Sequence, residues 1–235
     1  GARGKSVCVI DHANKPGKKI LIAGGGRCNF TNLDVTANNF ISHNPHFCKS
    51  ALSGYTPWDF IELVKKHDIA FHEKTLGQLF CDNKSQDILK LLLAECEAVK
   101  APIQMRTIIN SITQKAEGGF VVKTTQGDFE CASLVVATGG LSIPTMGAGP
   151  FGYQVAEQFG IKVWPTRAAL VPFTWHTHDK IKFEALSGVS QDCLVTCNGQ
   201  TFRENLLFTH RGLSGPAMLH ISSYWTPGAA LTIRL

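Results

Sequence analysis

Asp11 closes a short apolar run, Val7-Cys8-Val9-Ile10. A carboxylate at the end of a buried strand can accept hydrogen bonds from ribose hydroxyls, as at the second strand of a dinucleotide-binding βαβ unit. An acid there suits an unphosphorylated ribose, as in FAD or NAD. Many strands end in aspartate, so Asp11 alone specifies little. Further along, Gly17-Lys18-Lys19-Ile20-Leu21-Ile22-Ala23 runs into Gly24-Gly25-Gly26-Arg27-Cys28-Asn29. Adjacent glycines let backbone approach a flat ring or a phosphate with no Cβ in the way. Arg27 offers a forked cation for phosphate, and Asn29 offers both a donor and an acceptor. A triple glycine is also a flexible turn; its place soon after an acid-ended strand makes it informative. A third stretch, Leu134-Val135-Val136-Ala137-Thr138-Gly139-Gly140, reads as a strand opening onto glycines that pass close to a bound group.

Spacing constrains this reading. The Gly-x-Gly-x-x-Gly fingerprint should lie roughly 20 residues before the ribose-binding acid, between a first strand and its helix. Only ten residues precede Asp11, too few for a strand, a turn and a helix. Ala2-Arg3-Gly4 reads as a helix tail with a glycine stop. The expectation is therefore either no Rossmann unit or one whose first half is absent.

Other chemistries are less well supplied. Cysteines stand at positions 8, 28, 48, 81, 96, 131, 193 and 197 with no Cys-x-x-Cys pair, so zinc spacing is absent. Cys193 and Cys197 share one face of an alternating segment, which suits core filling. With no secretory signal, all eight read as reduced thiols in a cytoplasmic protein. Cys28 beside Arg27 is a candidate for a thiol of lowered pKa; with no second cysteine nearby in sequence, a redox disulfide is not expected. His210, beside Arg211, reads as a packing or capping residue before a proton donor. His176 and His178 alternate on an expected strand face, but no metal site is expected. No catalytic acid or base is assigned.

The elements that position these groups follow from periodicity and punctuation. Residues 5–11 read as a buried strand. Residues 56–66 read as a helix capped by Thr56, with Pro57 at its first position, Asp59 at its positive end and Lys65 and Lys66 at its close. Residues 85–100 read as a second helix with an apolar stripe of Ile88, Leu92, Cys96 and Val99, stopped by Pro102. A meander follows: residues 103–113, a turn at Gly118 and Gly119, a return over 120–125 and a second turn at Gln126-Gly127-Asp128. Residues 134–137 read as a short buried strand and 153–159 as a helix ended by Gly160. From Thr166 short alternating strands take over, at 193–196 and 231–235. A boundary there divides the chain into residues 1–165 and 166–235.

Composition sets the outer limits. The chain has 235 residues, 44% hydrophobic and 17% charged, which excludes a disordered polar chain. No run approaches the roughly 18 apolar residues of a membrane span. The net charge of +5 permits anionic ligands such as nucleotides. The basic residues are scattered, with no basic stripe interleaved with aromatics, so nucleic acid is not expected as a partner.

With these motifs in order, the sequence resembles the bacterial YhiN/BaiN-like NAD(P)/FAD-dependent oxidoreductases. The strings that carry the resemblance are GKKILIAGGGRCNFTN (17–32), ATGGLSIP (137–144), GAGPFGYQVA (147–156) and LFTHRGLSGPAMLHIS (207–222). Gly149-Pro150-Phe151-Gly152-Tyr153 departs from the Gly-Asp-Gly-Tyr form of many relatives. The resemblance implies an α/β fold: a Rossmann-like parallel sheet of glutathione-reductase type, a three-stranded β-meander, and the opening of an inserted β-rich domain. It implies that residues 1–165 are an incomplete nucleotide-binding domain lacking its first βα unit, and that 166–235 begin the insertion. FAD would be the cofactor and NAD(P)H the electron donor. Asp11 would hold the ribose; Lys19, Gly24, Gly25, Gly26, Arg27, Cys28 and Asn29 would lie near the pyrophosphate and flavin; Ile108 or Ile109 would offer backbone toward the adenine; Thr138, Gly139 and Gly140 would line the cofactor. The expected activity is hydride transfer between a nicotinamide and a small organic substrate through flavin N5. A flavoprotein acting on RNA and a non-enzymatic nucleotide-binding module are the alternatives.

Overall fold

The structure, a computed structural model, describes residues 1–235. The chain folds as two compact units, Gly1–Lys162 and Val163–Leu235. In chain order the first holds β1 (Val9–Ile10), α1 (Lys18–Ile22), β2 (Asn29–Asn32), α2 (Lys49–Gly54), α3 (Pro57–Lys66), β3 (Phe71–Glu73), β4 (Gln78–Cys81), α4 (Gln86–Ala98), β5 (Ile103–Gln104), β6 (Ile109–Gln114), β7 (Phe120–Thr124), β8 (Gly127–Cys131) and α5 (Phe151–Gln158). It is an α/β arrangement. β1 pairs in parallel with β5, Val9 opposite Ile103. β2, β4 and β3 form an antiparallel sheet, and β6, β7 and β8 form the meander.

Local chemistry sets the helix ends. Thr56 Oγ1 accepts the Asp59 N–H while Asp59 Oδ2 accepts the Thr56 N–H at 2.7 Å, a reciprocal capping box that starts α3 with Pro57 at its first position. α4 ends where Lys100 takes a left-handed φ of 52° and the Ala101 N–H reaches back to the Cys96 carbonyl; Pro102 then forbids another turn. Gly160 closes α5 in the same way, with Ile161 N–H on the Ala156 carbonyl.

Two cores result. Val64 of α3, Ile88 and Leu91 of α4, Cys28 and Cys81 form one, with Ile20 of α1 and Phe71 against it. Each large aliphatic chain buried there stabilises the unit by about 1.5–3 kcal/mol. Ile112 and Val122 of the meander pack with Val155 of α5, and Ile10 of β1 joins them. This second core holds the end of β1 beside the meander and α5.

The second unit holds β9 (Phe173–Thr174), α6 (Thr177–Phe183), β10 (Ser190–Cys197), β11 (Gln200–Thr209), β12 (Gly212–Ser214), α7 (Pro216–Ser222) and β13 (Thr232–Arg234), with its sheet ordered β13-β10-β11-β12-β9. Asn198 and Gly199, both at positive φ, make the two-residue turn between β10 and β11. Cys193, Val195 and Cys197 point to one face and pack with Leu206 under Ala217, Met218 and Ile221 of α7.

Several expectations change. The strand expected over residues 5–11 forms only at Val9–Ile10, because β5 offers only two partner residues; Val7 and Val9 remain exposed. Residues 134–137 join no sheet, since no strand lies alongside to meet their backbone groups, and Val135 is 83% exposed. In α4 the expected stripe meets the core at Ile88 and Leu92, but Leu91 is buried with Ile88, and Cys96 and Val99 lie outside that core. His176 immediately precedes α6 and His178 lies within it, so the two share no strand face. Ala2-Arg3-Gly4 is a turn closed by Gly4 N–H on the Gly1 carbonyl. No helix is long and apolar enough to cross a membrane.

Candidate functional site

β1 delivers Asp11 to the edge of the first unit. The Asp11 N–H donates to the Gln104 carbonyl and its own carbonyl accepts from the Thr107 N–H, so backbone on both sides fixes it. Oδ1 accepts the Ala13 N–H at 2.8 Å, and the side chain stays 43% exposed. A carboxylate held this way keeps acceptor capacity for a hydroxyl pair. The next residue, His12, lies against the chain at Gly147: a Cβ there would come 2.8 Å from His12 Nε2.

α1 leads directly into the glycine run Ala23–Gly26, a kinked segment and not a regular helical turn, because Gly24, Gly25 and Gly26 all take positive φ. Gly24 is irreplaceable on packing grounds as well, since a Cβ would lie 2.6 Å from the Phe80 ring and 2.7 Å from the Asn29 nitrogen. Gly25 and Gly26 face open space, with nothing within 4 Å of where a Cβ would stand. Their backbone is therefore accessible to a ligand. The run is braced from behind: Gly26 carbonyl accepts the Ser85 N–H, and Arg27 carbonyl accepts the Cys81 N–H. The Arg27 side chain is exposed.

The loop carrying Thr138, Gly139 and Gly140 is gripped by α1 and α5. Lys19 Nζ donates to the Ser142 carbonyl at 2.8 Å, across 123 residues of sequence. A Cβ on Gly140 would fall 2.6 Å from the Tyr153 hydroxyl, and one on Gly152 would fall 2.8 Å from Thr138 Oγ1. Gly139, at φ +71°, faces open space. Asp11, the glycine run and this loop thus meet through α1, His12 and α5.

Three expected contributors are otherwise occupied. Cys28 is buried, and burial pushes its thiol up rather than lowering it, while Arg27 beside it in sequence is exposed. With its amide nitrogen facing the strands, Asn29 donates to the Thr31 and Leu79 carbonyls at 2.9 and 3.1 Å, which ties it into its own sheet. Ile108 spends its N–H on Thr125 Oγ1 and its carbonyl on the Thr125 N–H, while Ile109 pairs with Thr124 in the meander. What Ile108 presents outward is an exposed apolar side chain.

Sequence reading missed His12, Tyr153, Ser142 and Cys81. His12 meets Gly147 and Ser142 meets Lys19 only because residues more than 100 positions apart converge, while Tyr153 reaches Gly140 from the helix that follows the loop. Cys81 shares a core with Cys28, and burial, then the Cys28 thiol, then Asp87 and Asp82 push its pKa to about 11. The glycines at 140, 147 and 152 were the available signal, because each marks a close approach. No group of three or more His, Cys, Asp or Glu side chains is arranged to hold a metal.

The profile of the HI0933-like protein Rossmann domain matches residues 1–216. A protein of Escherichia coli (strain K12) named Ribosomal RNA dihydrouridine synthase is 55% identical over 236 aligned positions, covering 100% of this chain and 59% of that protein. One of Haemophilus influenzae with the same name is 51% identical, covering 99% and 59%. A 3-dehydro-bile acid delta(4,6)-reductase of Clostridium scindens is 26% identical, covering 94% and 54%. The chain thus spans little more than half the length of these relatives. The two ribosomal RNA names overturn the expectation of a small-molecule substrate with no nucleic acid as partner. Scattered basic residues do not by themselves exclude an RNA partner, since RNA contacts need not form one linear stripe.

Proposed function

Because the chain belongs to the HI0933-like protein Rossmann-domain family, we propose that it forms the dinucleotide-binding portion of an FAD-dependent oxidoreductase. Its substrate on this reading is ribosomal RNA, and the reaction adds a hydride and a proton across the C5=C6 bond of a uracil base. The observation that carries the cofactor assignment is the exposed Asp11 carboxylate at the end of a parallel strand, joined through α1 to the open backbone of Gly25 and Gly26. Dihydrouridine differs from uridine by two hydrogens at one carbon–carbon double bond, which supports the RNA assignment through the two relatives of that name. The bile-acid reductase adds a chemical argument. A 3-oxo steroid with 4,6 unsaturation and a uracil ring both present a double bond conjugated to a carbonyl, which accepts hydride at its far carbon.

The residues fit the cofactor in defined roles. Asp11 accepts from the ribose hydroxyls. Gly25, Gly26 and Gly139 let backbone lie against the pyrophosphate or ring, and exposed Arg27 offsets phosphate charge. Bound FAD supplies hydride transfer at its N5. Cys28 supports the site from the core, Asn29 is held by its own sheet through its amide nitrogen, and Ile108 offers an exposed side chain rather than a free backbone donor. NAD(P)H is the electron source in this reading, and residues 1–165 and 166–235 divide the nucleotide-binding part from the β-rich part.

The test uses the full-length protein. Its visible spectrum should show bound flavin, and deleting the gene should remove one dihydrouridine from ribosomal RNA, restored by complementation. A colourless protein that takes up no added FAD would overturn the cofactor assignment. Unchanged dihydrouridine content would overturn the RNA assignment.

A further inference from the structure

We propose that Lys19 is a positioning residue whose ammonium latches the Ser142 carbonyl and so holds the loop at residues 139–147 in the strained form that receives the dinucleotide. The proposal rests on the cofactor reading above only for the last clause; the latch itself stands on geometry. Lys19 Nζ lies 2.8 Å from the Ser142 oxygen, and Lys19 is an exposed residue of α1 that has crossed 123 positions of sequence to meet a neutral backbone acceptor. A charged donor makes this a strong bond for a single contact.

What the bond restrains is the next residue. Ile143 has φ 57° and ψ 69°. A β-branched side chain in the left-handed region is a true outlier, and Pro144 after it further favours extended backbone at that position. Such a conformation persists only where its surroundings over-determine it. The Ser142 carbonyl belongs to the peptide plane that Ile143 φ rotates, so pinning that oxygen pins the strained angle. On the other side the Met146 N–H reaches the Ile143 carbonyl and the Gly147 N–H reaches the Pro144 carbonyl. Gly147 then rests over His12 at a distance that admits no Cβ. The loop is therefore anchored at Ser142 by Lys19 and at Gly147 beside His12, with Ile143 exposed between the anchors and Gly139 and Leu141 exposed just before the first. Without the ammonium, Ile143 relaxes toward extended backbone and the exposed stretch leaves its place.

The bond to Ser142 engages one of the three ammonium N–H donors of Lys19, so its positioning role is separable from any direct contact with phosphate. The latch gives Lys19→Met and Ile143→Gly a coupled effect. Glycine adopts positive φ freely, so the latch has nothing to restrain once Ile143 is gone.

The experiment is hydrogen exchange at residues 139–147 in the full-length protein stripped of flavin, with FAD retention and melting temperature measured alongside. Lys19→Met should speed exchange there about tenfold, the loss of roughly one charge-assisted bond, and weaken FAD retention, with the melting temperature unchanged. Lys19→Arg should restore most of both. In an Ile143→Gly background, Lys19→Met should add less than about twofold, as expected once the strain is removed. Wild-type exchange in Lys19→Met overturns the latch. Lost FAD retention with unchanged loop exchange also overturns it and makes Lys19 a direct ligand. If the wild-type protein binds no FAD, the exchange measurements still decide the latch while the cofactor reading fails.

Discussion

Cys28 and Cys81 are buried in the same core behind the glycine run, with the Cys81 N–H bonded to the carbonyl of Arg27, the residue before Cys28. Both are free thiols. They lie 53 positions apart in sequence, and β2 and β4 bring them together by pairing Asn29 with Phe80.

Their ionisation has a consequence for stability. Burial, followed by the neighbouring Cys28, Asp87 and Asp82, pushes Cys81 from 9.0 up to about 11. The folded protein thus holds this proton over a range in which the unfolded chain releases it. Its contribution to stability is constant below pH 9.0 and falls as pH rises from there toward about 11. Denaturant titrations at pH 8 and pH 10 should show this loss, and Cys81→Ala should flatten the slope while lowering stability overall. A Cys81→Ala protein with the wild-type slope would contradict it.

Thiol reactivity should follow the same geometry. In the native protein an alkylating reagent at pH 8 should modify exposed Cys8 first, and leave Cys28, Cys81, Cys193 and Cys197 intact until unfolding. Peptide mapping after brief labelling reads the order. Rapid native labelling at Cys28 would mean that the core behind the glycine run opens.

The glycines of the run should not be equivalent. Gly24→Ala meets both the Phe80 ring and the Asn29 nitrogen, while Gly25→Ala meets nothing and costs only its left-handed backbone, about 1–2 kcal/mol. Gly24→Ala should cost at least about 1 kcal/mol more than Gly25→Ala, as overpacking against fixed neighbours does. Equal stabilities by denaturant titration would refute the assigned packing.

Arg27→Ala should leave the melting temperature unchanged, because the side chain is exposed, yet weaken FAD retention by about tenfold, the scale of one lost charge-assisted contact. Retention equal to wild type would remove Arg27 from the site.

The start of α3 offers a pH test. The Thr56 hydroxyl and then its N–H hold the Asp59 carboxyl below its ordinary value of 3.8. That stabilisation is present above about pH 4 and is lost as pH falls through the lowered folded value. Thr56→Ala removes the hydroxyl and should cost about 1 kcal/mol at pH 7, with a smaller difference from wild type in acid. A difference independent of pH would show that Asp59 takes no part in the cap.

Much of the local structure was legible in the order of residues. Thr56, Pro57 and Asp59 announce α3, the pairing of Gly118-Gly119 with Gln126-Gly127 announces the meander, and the four-residue spacing of Cys193 and Cys197 announces a shared core face. Each is a signal within one or two turns of chain, where propensity and periodicity act directly. Residues 134–137 show where this fails. Their apolar run reads as a strand, but a strand exists only where another strand accepts its hydrogen bonds, and none lies beside them.

For the candidate site, composition and spacing determined the parts: an acid after an apolar run, three glycines before an arginine, and a Thr-Gly-Gly loop. Tertiary structure decided which parts are available. It buried Cys28, tied Asn29 into its sheet and Ile108 to Thr125, left Gly25, Gly26 and Gly139 open, and joined Lys19 to Ser142. The physical reason is that glycine permissiveness and a strand-ending charge are properties of single residues. Whether a donor is free, a thiol is desolvated or a left-handed isoleucine is held depends on atoms that only folding brings within a few ångströms.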